Sequence, residues 1–90
     1  MSEQDQVRDC MNEFIDLANE MKDRGIPIHV VNSGLMRAFG VYATYSVAGN
    51  AGGLTESGVE KIAELFKVEL ANVQEMRKAE FDTVEVKGQQ

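Results

Sequence analysis

The chain has 90 residues, a formal net charge of −6 and a single cysteine. That length leaves room for one domain. One cysteine excludes an intrachain disulfide, and few, scattered basic residues argue against a nucleic-acid binder, whose affinity for phosphate comes from clustered Lys and Arg. A chain this short buries only about 60–68% of its unfolded surface, so without disulfides or a metal framework it is expected to gain stability by self-association.

The start, Met1-Ser2-Glu3-Gln4-Asp5, is acidic and polar. It lacks the basic residues and apolar run of a secretory leader, and with the lone cysteine it predicts a cytoplasmic protein. From about residue 4 to 24, Val7, Cys10, Met11, Phe14, Ala18 and Met21 recur at steps of three and four, with Ile15 and Leu17 beside them. This is the repeat of a one-sided amphipathic helix. Gly25 and Pro27 end it, the first by accepting a left-handed cap and the second by refusing to continue the ladder.

A second helix is predicted over about residues 27–48, stopped by Gly49-Asn50-Ala51-Gly52-Gly53. At about 100° per residue its polar positions, His29, Ser33, Arg37, Gly40 and Thr44, share one narrow sector, and nearly everything else is apolar or small. Such a helix needs burial around most of its girth. Ile26 to Val31 also reads as a short strand by its β-branched content, but Pro27 within so short a run, and the lack of a second strand to pair with it, favour the helix. Arg37 is the one formal charge between Ile26 and Leu54. A membrane span here would have to bring Arg37, Asn32, Ser33 and Thr44 into hydrocarbon, where Arg alone costs about 2.5–3.5 kcal/mol, and none is predicted.

The third helix is predicted to begin at Ser57-Gly58-Val59-Glu60, read as a capping box, with Thr55 as the other candidate cap. Val59, Ile62, Ala63, Phe66, Leu70 and Val73 form its apolar face, Leu65 and Met76 flank it, and Arg77 and Lys78 fall near its C-terminus, where the macrodipole favours cations. Residues 82–90 carry no period and are expected to fray, leaving one helical domain over residues 4–81. Helices of about 20 residues span roughly 30 Å, and their short links predict an all-α fold, an antiparallel three-helix bundle. The middle helix has more apolar surface than two neighbours can cover, which predicts a homodimer.

Val31, Leu35, Ala38, Phe39, Tyr42 and Tyr45 are the candidate self-association residues, Tyr being favoured at interfaces for joining a large apolar area to a polar tip. Asp9, Glu13, Asp16 and Glu20, at i, i+4, i+7 and i+11, form one carboxylate row on the first helix. The row offers a face for a basic protein partner, although a solvated exterior is the commoner role of such rows. The alternative to a self-associating module is a small-ligand binder with a pocket lined by Met36, Phe39, Tyr42 and Tyr45 and His29 at its mouth.

No catalytic, cofactor or metal site is predicted. His29 has no second histidine or cysteine pair to complete a metal set. Cys10 lies on an apolar stripe and is expected to pack as a small hydrophobe. Ser33 lacks the preceding Asp and the acidic helix of an acyl carrier protein, and the glycine-rich segment lacks the Lys-Ser/Thr of a P-loop. No nucleic-acid or membrane partner is expected.

Phe14-Ile15-Asp16-Leu17-Ala18-Asn19-Glu20, followed by Val31, Leu35, Ala38, Tyr42, Tyr45 and Ala48, resembles an uncharacterised family of short proteobacterial proteins, a domain of unknown function. The similarity spans most of the chain, from the first helix through the third. Members of that family carry Arg-aromatic-Asn where this chain has Val41-Tyr42-Ala43. The resemblance implies a bacterial, cytoplasmic, helical domain and no catalytic residues.

Overall fold

The computed structural model describes residues 2–80. These form three helices, α1 (Glu3–Asp23), α2 (Ile28–Ala48) and α3 (Glu56–Lys78), with no strand among the described residues. The expected tail over 82–90 and the last residue of the expected 4–81 domain lie outside them. No described helix is long and apolar enough to cross a membrane.

α1 starts on a capping box that the sequence reading did not anticipate. The Asp5 amide donates to Ser2 Oγ at 3.1 Å and the Ser2 amide donates to Asp5 Oδ2 at 3.4 Å. Two otherwise orphaned donors are satisfied reciprocally, with Asp in the place usually held by Glu or Gln. The helix closes in a Schellman turn. The Gly25 amide donates to the Lys22 carbonyl at 2.9 Å and the Ile26 amide to the Met21 carbonyl at 3.2 Å, with Gly25 at φ 98°. This turn commonly brings an apolar contact between the residue after the glycine and the last helical turn, and both Ile26 and Met21 are half-buried.

Pro27 is the N-cap of α2, extended at ψ 145°, and its carbonyl accepts from the amides of Val30 and Val31 at 3.0 and 3.1 Å. Ile28 to Val31 are therefore helical, which settles the strand alternative. α2 has no side-chain cap, no acid in its first turn and no base in its last. It ends at Gly49, φ 78° and ψ −172°, whose amide donates to the Tyr45 carbonyl. Thr44 Oγ1 donates to the Gly40 carbonyl and Ser46 Oγ to the Ala43 carbonyl, each at 2.8 Å. Hydroxyls that bond back to their own helix lose part of their demand for water, which suits a helix destined for wide burial.

The cap of α3 corrects the Ser57 expectation. Thr55, at ψ 169°, is the N-cap, and its Oγ1 accepts from the Gly58 amide at 3.2 Å. Ser57 already lies inside the helix, its Oγ 3.3 Å from Thr55 Oγ1. Glu60 then sits two positions beyond N3, out of register for the return bond of a capping box. Thr55 suits the extended backbone of a cap because β-branching favours it. The side chain of Leu54 folds back over Gly58: a Cβ placed on Gly58 would lie 3.4 Å from that of Leu54.

The chain divides into two units, Met1–Asn50 and Ala51–Gln90. In the first, α1 and α2 touch, and the half-buried apolar residues Ala18, Met21, Ile26 and Val31 gather around the turn. Away from it, Val7, Met11 and Phe14 of α1 are exposed. The second unit holds α3, where Leu54, Gly58 and Ile62 are half-buried. No described residue of either unit is fully buried.

Candidate self-association surface

α2 carries an apolar seam with a strict three-four alternation: Ile28, Val31, Leu35, Ala38, Tyr42 and Tyr45. On a helix of 3.6 residues per turn these six positions fall within about 120° of the circumference. The sequence reading named five of them together with Phe39, which flanks the seam, and missed Ile28 because it lies in the segment whose conformation was in question. Side chains so spaced project as one ridge able to seat in the holes of another helix.

The seam faces outward. Tyr42 is 75% exposed, Ile28 67%, Tyr45 48% and Leu35 44%, and the flanking Phe39 is 48% exposed. Ala38 is also exposed, and Val31, next to the turn, is half-buried. The Tyr42 and Tyr45 rings meet edge to face, with centroids 6.2 Å apart and planes at 68°, an arrangement the aromatic quadrupole favours. A second apolar sector, with Val30, Gly34, Val41 and Ala48, adjoins the seam on the helical wheel. Together the two sectors reach about half the girth of α2.

No family model matches the chain, and no curated protein or solved structure matches it. The functional reading therefore rests on the geometry.

The other candidate residues remain apart from the seam. Asp9, Glu13, Asp16 and Glu20 are exposed along α1, on the sector opposite Val7, Phe14 and Met21. Arg8 NH1 lies 3.2 Å from Asp5 Oδ1 and its NH2 lies 3.6 Å from Asp9 Oδ1, so the row is partly neutralised at its N-terminal end. Cys10 is exposed instead of packed, because within its own unit α1 has cover only near the turn. His29 is an exposed residue in the first turn of α2. Among the described residues no three His, Cys, Asp or Glu side chains lie where they could hold a metal ion.

An open depression of about 390 Å³ runs along α2, lined by Arg37, Gly40, Val41, Thr44 and Tyr45. Of the residues expected to line a ligand pocket, it includes Tyr45 alone.

Proposed function

We propose that this chain is a non-enzymatic, self-associating helical module: an antiparallel three-helix bundle that pairs with a second copy through α2, in the cytoplasm. The observation that carries the reading is the exposed seam of α2, six apolar positions in strict three-four alternation on a helix whose only formal charge is Arg37.

Most of a helix's stability in a protein comes from packing of its apolar face and not from intrinsic propensity. α1 offers Val7, Cys10, Phe14, Leu17 and Met21, and α3 offers Val59, Ala63, Phe66, Leu70 and Val73, each with the same three-four spacing. Each of these is a single stripe, suited to closing one bundle. α2 has the seam and its adjoining sector, so closing a bundle against one still leaves the other for a partner. Exposed apolar patches of this extent mark interaction sites.

The carboxylate row of α1 serves as the charged exterior that keeps the assembly soluble, and it is also the face open to a basic partner protein. Membership of an uncharacterised family of short proteobacterial proteins, over the first helix through the third, is part of the same proposal and adds no chemistry to it.

Sedimentation velocity over a wide concentration range tests the central claim. Two chains per particle at micromolar concentration are expected, and a strict monomer at every concentration would remove the proposal.

A further inference from the structure

The seam is polarised by size along α2. Its N-terminal end is β-branched, Ile28 and Val31; its middle is Leu35 and Ala38; its C-terminal end is aromatic, Tyr42 and Tyr45. Two copies of such a seam do not pair equally well in both directions. Side by side and parallel, each position meets itself. The four tyrosine rings would crowd one end, while the two Ala38 methyls would face each other across a gap. Interiors tolerate neither voids nor overpacking.

We propose that two copies of α2 pair antiparallel, about a two-fold axis between Met36 and Arg37, so that Tyr45 of one protomer packs on Ile28 of its partner, Tyr42 on Val31, and Leu35 on Ala38. This inference rests on the self-association reading above. The register follows from heptad geometry. With Ile28, Leu35 and Tyr42 as a positions and Val31, Ala38 and Tyr45 as d positions, reversing one strand layers every a against a d of the partner. Each layer then joins a larger side chain to a smaller one.

A second feature of α2 points the same way. α1 and α3 carry compensation at both ends: acids in the first turn, bases in the last, and a side-chain N-cap. α2 has none of the three. Its N-terminus follows the α1 C-terminus across the turn at residues 24–27, but within its unit nothing offsets the partial negative charge at Ala48. Antiparallel pairing in this register brings the partner's N-terminus at Pro27 and Ile28, which has no side-chain cap, beside Tyr45 and Ser46. The partial positive charge there offsets the carbonyl end. Arg37 lies near the axis but on the far side of the helical wheel from the seam, so the two guanidinium groups are not forced together.

The area suffices. The exposed parts of Ile28, Leu35, Tyr42 and Tyr45 amount to roughly 500 Å² per protomer, so the pair reaches roughly the 1,000 Å² a specific interface requires before flanking residues are counted.

Two measurements on the full chain, in a Cys10→Ser background, test the orientation. In the first, Ile28→Cys and Tyr45→Cys chains are mixed and oxidised. The expected product is the mixed disulfide alone, because like residues lie about 25 Å apart along the axis, beyond the roughly 7 Å Cα separation a disulfide spans. Self-linked Ile28→Cys or Tyr45→Cys dimers would overturn the antiparallel assignment. In the second, a nitroxide on Ser46→Cys, at the edge of the pairing face, reads the pair by electron–electron resonance once sedimentation shows that the labelled chain still pairs. A separation of about 28 Å or more is expected from the axial offset, and a short distance with both labels side by side would overturn it. Sedimentation of the Cys10→Ser protein separates the two levels of failure: a monomer removes self-association itself, whereas a dimer with parallel cross-links removes only the orientation.

Discussion

Tyr42 and Tyr45 meet edge to face with ring centroids 6.2 Å apart, although Tyr42 leaves three quarters of its surface open. The contact favours one relative placement of two large amphipathic side chains by about 0.5–1.5 kcal/mol before any partner arrives, and side chains already partly ordered lose less entropy on association. Tyr42→Asp should therefore raise the dimer dissociation constant by about thirtyfold or more, the scale of a central aromatic anchor. Tyr42→Phe keeps the ring and should change it little. Both are read by sedimentation equilibrium. An Asp variant that associates as well as the parent would place the interface elsewhere.

The cap of α3 makes a sharper test of local structure. Thr55 Oγ1 accepts the Gly58 amide, while Ser57 lies within the helix. Thr55→Ala should cost about 1 kcal/mol, the usual worth of an N-cap, and Ser57→Ala clearly less. Urea unfolding of the two variants compares them directly, and the reverse order would return the cap to Ser57.

How much of this could be read from residues alone depends on the range of the interaction that decides it. The three helices were legible because Val7 to Met21 and Val59 to Val73 repeat at helical spacing and because Gly25 and Gly49 are strong stops. Ends were less so. Thr55 and Ser57 are both good caps, and the choice between them turns on backbone dihedrals that spacing does not encode. The Ser2–Asp5 box was missed because a short Asp replaces the usual longer acid. The candidate seam was legible at Val31, Leu35, Ala38, Tyr42 and Tyr45, since one helix's periodicity suffices to align them. Cys10 shows the complementary limit: a stripe shows that a face wants cover, not that its own unit supplies it.

Gly49 stands at φ 78° and ψ −172°, a region that is essentially closed to residues with a Cβ. Gly49→Ala is expected to destabilise the fold by about 1–3 kcal/mol, or to let α2 run on past residue 48. Gly40→Ala is the control. Nothing lies within 4 Å of a Cβ there, and replacing a mid-helix glycine should stabilise by about 0.5–1 kcal/mol. Thermal unfolding followed by circular dichroism gives both signs, and a neutral Gly49→Ala with unchanged helix content would contradict the assigned turn.

Cys10 reports on whether the bundle closes over α1. Its thiol is exposed, yet it sits in the α1 stripe between Val7 and Phe14, the face that α3 or α2 must cover if each protomer forms a three-helix bundle. Access to the thiol limits the rate of reaction with a disulfide probe, and the ratio of the native to the unfolded rate reads that access. A closed bundle should slow the native reaction on the order of tenfold or more relative to denaturant-unfolded protein at the same pH. Under the proposed arrangement the slowing should persist in Tyr42→Asp, because there the bundle closes within one chain and the seam forms between two. Equal rates in native and unfolded protein would show that the α1 stripe stays open. Slowing that vanishes with Tyr42→Asp would instead show that a second copy provides its cover.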